Sequence, residues 1–288
     1  MIGTGMNVGD FGYAEYRGNW DAQIQVLRVC GFDSTFIYSG LPDAELEKLA
    51  DACAKYGVCL ESIHAPWGGI NCIWKDGEDG EAWVTKLQQE LDVVKRVNAS
   101  YLTVHCINMP HYNNNGPMGN CFSEQGADRF RRIAEYAAGL GVKVGFETVE
   151  FAQRELKSLT DWFREKKLTE GVGVVWDIGH WNCYPNGLDF SDTFGDLLIG
   201  THTHDNFGNR NPQIITWDDD WHLAPFDGTI NWLEVGDQLR RSRFCGTVTL
   251  EFGRGNRMPW YQTFPDLHSY LTEMHTRAAR IAMLGEQK

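Results

Sequence analysis

Histidine and carboxylate side chains stand at or near the ends of several short apolar runs of this sequence. They are His64, His105, Glu147, Asp177, His180, His202, His204 and Glu251. Imidazole nitrogens and carboxylate oxygens bind divalent metal ions, and carboxylates also act as general acids and bases. One such residue alone is usually a hydrogen-bonded interior histidine or a carboxylate paired with arginine. As a set they predict a divalent metal site, because these runs offer the carboxylates no inward arginine or lysine, and burying three carboxylates without a cation is very costly.

Residue alternation places these side chains together. Successive side chains of a strand point to opposite faces, and a barrel strand turns its apolar face outward against helices. In the run 101–106 the apolar residues share one face and leave His105 on the other. The same reasoning turns Ile199 outward and His202 inward in the run 198–206. The ionisable residues fall late on the inner face, which predicts a site at the C-terminal ends of the strands.

Eight short β-rich runs alternate with amphipathic segments. The runs span 2–8, 34–40, 60–66, 101–106, 143–150, 173–180, 198–206 and 247–253. Segments with apolar residues at three- and four-residue steps include 42–56, 83–97, 128–140 and 230–241, and a last helix is expected at 264–284. This order predicts an α/β protein with one (β/α)₈ TIM barrel, and a doubly wound open sheet is the alternative. No linker-like segment divides the chain, so we expect one domain over residues 1–288.

The charge balance argues against polyanionic partners. Among 288 residues, 26 are Lys or Arg and 39 are Asp or Glu, for a formal net charge of -13. This charge disfavours binding to nucleic acid or to an anionic membrane.

The sequence shows no apolar run long enough to span a membrane and no signal-peptide order at its start, so we expect a cytoplasmic protein. The eight cysteines form no C-x-x-C pair and are expected to be reduced and buried.

A series of motifs follows the runs in order. It comprises HAPWGGIN at 64–71, TVHC at 103–106, GFET at 145–148, WDIGH at 176–180, HTHDN at 202–206, DWHLAPFDGTINW at 220–232 and LEFG at 250–253. Over essentially its whole length the chain resembles the xylose-isomerase-like barrel superfamily. That superfamily includes sugar isomerases and epimerases, inosose dehydratases and zinc-type apurinic endonucleases.

The resemblance implies a role for each site residue. In the isomerase and epimerase branch one metal ion is held by the residues that match Glu147, Asp177, His202 and Glu251. Glu147 and Glu251 also exchange the substrate proton. This oxygen-rich set suits Mn²⁺ best, with Mg²⁺, Co²⁺ and Zn²⁺ as alternatives. His180 is expected to bind a substrate hydroxyl. The other substrate-binding candidates are His64, His105, Trp67, Trp181, Arg210 and His222.

Two positions depart from the ketose epimerases. Gln153 stands where they have a second glutamate, and Gly208 stands where they have a substrate-binding arginine, with Arg210 two positions later. We therefore do not expect the same substrate.

The resemblance also leaves a second chemistry open. The trinuclear zinc set of the endonuclease branch matches His64, His105, Glu147, Asp177, His180, His202, Asp220, His222 and Glu251. The net charge opposes duplex binding, whereas tryptophans after the strand ends favour stacking on sugars: Trp67, Trp181, Trp217, Trp221 and Trp260.

We therefore predict a divalent-metal-dependent sugar isomerase or epimerase that abstracts a proton next to a carbonyl and stabilises the enediolate with the metal. A dehydratase or lyase on the same site is the first alternative, followed by an endonuclease-like phosphodiesterase and a non-catalytic sugar-binding barrel. The expected partner is a small sugar or sugar derivative, without nucleic acid or membrane, and a homo-oligomer is compatible with the sequence.

Overall fold

The computed structural model describes residues 1–9, 14–108, 122–149, 152–184, 187–210, 219–252 and 263–286. Its strands are β1 (Gly3–Asn7), β2 (Ser34–Tyr38), β3 (Cys59–His64), β4 (Tyr101–His105), β5 (Lys143–Glu147), β6 (Val172–Asp177), β7 (Leu198–His202) and β8 (Thr247–Leu250). Its α-helices are α1 (Trp20–Val29), α2 (Asp43–Tyr56), α3 (Glu78–Arg96), α4 (Glu124–Leu140), α5 (Gln153–Lys166), α6 (Ile178–Cys183), α7 (Phe190–Phe194), α8 (Trp232–Arg241) and α9 (Leu267–Glu286).

The strands form a parallel barrel. Each strand from β1 to β6 pairs in parallel with the next in sequence, and β1 also pairs with β8. Between β7 and β8, Thr203 and Leu250 form a parallel bridge, and the Thr249 amide donates to the Thr201 hydroxyl at 3.1 Å. Helices lie between the strands along the chain, which confirms the predicted (β/α)₈ barrel.

Two helix caps explain why the end of β6 and the start of α4 differ from the boundaries predicted from the sequence. The run 173–180 ends as a strand at Asp177, because Asp177 Oδ1 accepts the His180 amide at 2.7 Å and starts α6. His180 therefore lies on a short helix and not on β6. Helix α4 begins four residues before the predicted start, since the Ser123 side chain caps it by accepting from the Gly126 amide at 3.1 Å.

Two register shifts break the simple alternation of side chains. The shift between Thr35 and Phe36 turns Glu61 into the barrel, where its Oε2 accepts from the Thr249 hydroxyl at 2.6 Å. Burial raises the pKa of Glu61. It lines a cavity of about 630 Å³ at the N-terminal ends of the strands, opposite the predicted site.

The second shift, between Val174 and Val175, affects Ile199. The expectation that Ile199 faces outward is wrong. A Cβ on Gly173, which faces the barrel interior, would lie 2.3 Å from Ile199 Cδ1, so Ile199 occupies that space.

The described cysteines are free thiols. Four are buried, as expected: Cys30, Cys53, Cys106 and Cys183. Cys59 and Cys245 are exposed, contrary to the expectation, and Cys121 lies outside the described residues. In the part of the chain that the structure describes, no helix is both long and apolar enough to cross a membrane.

Gly171 marks a close approach between the loop before β6 and α4. A Cβ at this position would lie 1.9 Å from the backbone oxygen of Ala134. We expect Gly171→Ala to lower the free energy of unfolding by about 1–3 kcal/mol, because backbone cannot yield as a side chain can. Gly139→Ala, in α4, is the matched control. Nothing lies within 4 Å of the Cβ position of Gly139, and alanine favours a helix more than glycine does, so a stability gain of up to about 1 kcal/mol is expected. Urea unfolding measures the free energy of unfolding of both variants, and equal values for the two would contradict the prediction.

Candidate metal centre

The predicted metal ligands stand at the ends of four successive strands. Glu147, Asp177 and His202 are the last residues of β5, β6 and β7, and Glu251 directly follows β8. Parallel strands bring their C-terminal ends to one mouth, where each of these residues is at most 5% exposed. Asp177 and His202 also face each other in register. The strand ends therefore bring the four residues to one buried place.

Glu147 lies among three imidazoles. His64 Nε2 and His105 Nε2 each lie 2.9 Å from Glu147 Oε2, and His202 Nδ1 lies 2.8 Å from Oε1. His202 Nδ1 is also 3.1 Å from Glu251 Oε2. His202 thus contacts both glutamates through one ring nitrogen.

The two glutamates and His202 stabilise one another's charged forms. Burial acts to raise the pKa of Glu147, but His202 and His105 hold it well below its usual range. The pKa of Glu251 is likewise lowered, because the adjacent His202 outweighs burial. Burial acts to lower the pKa of His202, yet Glu251 and Glu147 raise it well above its ordinary value. Both glutamates are therefore ionised at neutral pH, the form that binds a cation.

The side chains meet the requirements of a divalent ion. Two sets that share Glu147 bring ligand atoms within 4.8 Å of one another: His64, Glu147, His202 and Glu251, and Glu147, Asp177 and His180. Asp177 Oδ2 is buried and makes no hydrogen bond within the described residues. Carboxylate and imidazole donors of this kind suit Mn²⁺, Mg²⁺, Co²⁺ or Zn²⁺. The four-residue set predicted from the sequence spans both groups and stays a prediction.

A second group of potential ligands adjoins the first. Ligand atoms of His180, His204, Asp220 and His222 lie within 4.8 Å of one another. Asp220 Oδ2 is 2.9 Å from His222 Nε2 and 3.4 Å from His180 Nε2. Burial works against ionisation of Asp220, but these histidines lower its pKa, and Asp220 in turn raises the pKa of His222 to about 9. The structure thus brings together all nine residues that match the endonuclease set.

His204 belongs to the set of ionisable residues marked by the sequence, which gives it no specific role. It is fully buried, its Nε2 lies 3.1 Å from Asp177 Oδ1, and its ring stacks on His222 with 3.7 Å between centroids. A Cβ on Gly179 would lie 2.0 Å from this ring, so the glycine of WDIGH makes room for His204. Alternation placed His204 beside His202, but only the fold brings it to Gly179.

Asp205 organises the segment that carries Asp220 and His222. Its carboxylate accepts from the amides of Asn206 and Phe226 and from Trp232 Nε1, at 2.8, 3.0 and 3.2 Å. Its backbone also exchanges two 2.7 Å hydrogen bonds with Leu223. The aspartate of the HTHDN motif is therefore a structural residue.

The two tryptophans among the predicted substrate-binding residues lie in different surroundings. Trp67 is 39% exposed at the mouth and stacks on His105 with 5.4 Å between centroids. Trp181 instead packs edge-on against Phe190 and Phe194, on the side of α7.

Arg210, another predicted substrate-binding residue, pairs with Asp219 at 2.5 Å and lies over the ring of Trp221.

Gln153, which stands where the ketose epimerases have a second glutamate, is buried. Neither of its side-chain polar atoms makes a hydrogen bond within the described part of the chain. Trp217 and Trp260 lie outside the described residues.

Tyr38 is a site residue that sequence reasoning missed. It ends β2, and its hydroxyl donates to Glu251 Oε1 at 2.5 Å. Burial and the charge of Glu251 raise the pKa of this hydroxyl well above its ordinary value. Phe36, two residues earlier, stacks on His202 with 4.5 Å between centroids. Alternation in the run 34–40 was the available signal, because it gives Phe36 and Tyr38 the same face.

Comparison with known proteins identifies the family. The model of the family described as xylose isomerase-like TIM barrel matches residues 24–273. The chain belongs to this family. The family model thus covers every strand from β2 to β8 and each of the predicted metal ligands.

Solved structures with a similar fold and one relative by sequence match this chain. D-psicose 3-epimerase of Clostridium cellulolyticum H10, solved with D-tagatose, has a TM-score of 0.73 and 14% identity, covering 99% of this chain and 100% of its own. 3-Keto-D-glucoside 4-epimerase of E. coli has a TM-score of 0.70 and 19% identity, covering 96% and 100%. An uncharacterised protein of Sinorhizobium fredii is 26% identical over 258 residues, 79% of each chain.

Proposed function

We propose that this protein is a divalent-metal-dependent epimerase or isomerase of sugars. The observation that carries the proposal is the contact of both Glu147 and Glu251 with His202 Nδ1, at 2.8 and 3.1 Å, at the C-terminal mouth of the barrel. Two ionised carboxylates beside one potential metal ligand are the groups that removal and return of a proton require. The two glutamates come from β5 and from the end of β8, so they reach the mouth from different sides.

The chain's own residues would perform the proton transfer. A metal ion held by Glu147, Asp177, His202 and Glu251 would stabilise negative charge on the substrate's oxygens. One glutamate takes the proton from the carbon next to the carbonyl, and the other returns one. Return to the same carbon from the opposite side gives an epimer, and return to the neighbouring carbon gives an isomer. Loss of a β-hydroxyl instead gives a dehydratase, the first alternative.

Three observations support a sugar as the substrate. Tyr38 and Trp67 are 37% and 39% exposed at the mouth, and flat rings of this kind pack on the apolar faces of sugars. His180, on α6, is close enough to the cluster to bind a substrate hydroxyl. Two proteins with the same fold are named as sugar epimerases, and in one of them the named reaction at carbon 4 lies beside the keto group at carbon 3.

A metal-dependent phosphodiesterase is the second candidate. The group formed by His180, His204, Asp220 and His222 beside the first cluster favours it, because paired metal ions suit phosphoryl chemistry. The net charge of -13 opposes it, since a duplex is held mainly by lysine and arginine.

Hydrogen exchange into sugars tests the proposal. Protein loaded with Mn²⁺ is incubated in D₂O with a panel of ketoses and keto-glycosides, and NMR follows loss of the proton next to the carbonyl. We expect exchange with at least one sugar, and none with protein stripped of metal by a chelator. A duplex with an abasic site is assayed in parallel. Cleavage of that duplex without exchange into any sugar would support the phosphodiesterase instead.

A further inference from the structure

The two glutamates of the centre are held by different partners. Glu147 faces imidazole nitrogens with both oxygens, His64 and His105 at Oε2 and His202 at Oε1. Glu251 faces an imidazole with Oε2 alone, 3.1 Å from His202 Nδ1. Its Oε1 accepts from the Tyr38 hydroxyl at 2.5 Å. One oxygen of Glu251 is therefore directed at the metal ligands and the other at a tyrosine that ends β2, the second strand from β8 around the barrel.

We propose that Tyr38 is a positioning residue for Glu251, which holds Oε1 so that Oε2 is presented to the metal. A short hydroxyl to carboxylate hydrogen bond is among the stronger ones in proteins, and it restricts the carboxylate to one orientation. Glu251 is only 5% exposed, so water does not readily replace the tyrosine as the donor. Partners that orient metal ligands in this way commonly change metal affinity about 10- to 100-fold when removed.

The ring of Tyr38 has a separate packing role that an experiment can distinguish. Its centroid lies 5.2 Å from that of His64, 5.6 Å from Phe36 and 6.2 Å from Trp67. Tyr38→Phe keeps these ring contacts and removes only the hydroxyl. Tyr38→Leu removes both. If the hydroxyl carries the effect, the first substitution already produces most of the loss.

A matched control exists on the outside of the barrel. The Tyr56 hydroxyl donates to Asp21 Oδ2 at 2.9 Å, between α2 and α1. Tyr56→Phe therefore removes the same kind of hydrogen bond far from the mouth. A general effect of losing a tyrosine–carboxylate hydrogen bond would appear in both variants.

The test measures Mn²⁺ affinity in the full chain by competition with a fluorescent chelator. We expect about 10-fold weaker binding in Tyr38→Phe and unchanged binding in Tyr56→Phe, with circular dichroism confirming the fold of each variant. Wild-type affinity in Tyr38→Phe overturns the proposal, as does an equal loss in Tyr56→Phe or absence of Mn²⁺ binding by the wild type. A loss only in Tyr38→Leu assigns the effect to the ring and overturns it too.

A kinetic measurement extends the test and rests on the proposed function. For a sugar that exchanges its proton, Tyr38→Phe assayed with saturating Mn²⁺ is expected to lower kcat with little change in KM, because the lost hydroxyl acts through Glu251 while the ring that would pack on the sugar is kept. A change in KM alone would overturn the positioning role. If the wild type binds Mn²⁺ but exchanges no sugar, the proposed function fails while the affinity result for Tyr38 still decides this inference.

Discussion

Replacing Glu251 by glutamine is expected to slow deuterium exchange into a sugar by about 10²- to 10⁴-fold, the range that general acid–base groups contribute. Glutamine keeps the size of the side chain but has no carboxylate to take the proton. The pKa of Glu251 lies below its usual range because His202 is adjacent, so the wild-type residue is ionised at neutral pH, the form that a base requires. Glu147→Gln is expected to have an effect of similar size. NMR in D₂O measures each rate.

Glu61→Gln is the matched control for this prediction. Glu61 is also a buried glutamate inside the barrel, but it lies at the N-terminal ends of the strands and accepts from the Thr249 hydroxyl. Its replacement should leave the exchange rate near that of the wild type. Metal content must be measured in every variant, because Glu251 is also a predicted ligand. Wild-type exchange by metal-replete Glu251→Gln would place the base elsewhere, with His180 as the next candidate.

The barrel was predictable because its signals are local. Each strand is a short apolar run, and each amphipathic segment shows the three- and four-residue spacing of a helix. The departures come from interactions that a single run does not contain. Glu61 and Ile199 turn inward only because neighbouring strands shift in register. The early start of α4 depends on the side chain of Ser123, a cap that the apolar spacing alone does not mark.

The part of the site that lies on strands was predictable from the alternation of side chains between the two faces of a strand. Glu147, Asp177 and His202 end successive strands, so their shared inner face follows from the two-residue period. Tyr38 obeys the same period, but a search for histidine and carboxylate ligands does not select a tyrosine. The packing of Trp181 against Phe190 could not be anticipated, because it depends on where α7 docks.

Asp177→Ala is expected to remove the bound metal. The unsubstituted protein, purified without chelator, should hold one divalent ion per chain at the four predicted ligands. Asp177 is fully buried, and its Oδ2 makes no hydrogen bond within the described residues but lies 3.5 Å from His180 Nδ1, another potential ligand, so this oxygen is placed to bind a cation. Loss of a direct ligand should reduce affinity by more than the roughly 10- to 100-fold that loss of an outer partner costs. Elemental analysis of the purified variant measures the stoichiometry.

Asp177 also caps α6, so loss of the cap must be separated from loss of the ligand. Asp189 caps α7 in the same way, accepting from the Asp192 amide at 3.0 Å, and Asp189→Ala is the matched control. Both alanine variants should lose about 0.5–2 kcal/mol of stability with the cap, but only Asp177→Ala should lose metal. Asp177→Asn keeps an oxygen for the cap and removes the negative charge, so it should bind metal weakly while remaining nearly as stable as the wild type. Full metal stoichiometry in both Asp177 variants would exclude this residue as a ligand and leave Glu147, His202 and Glu251 to hold the ion with His64, which shares their cluster.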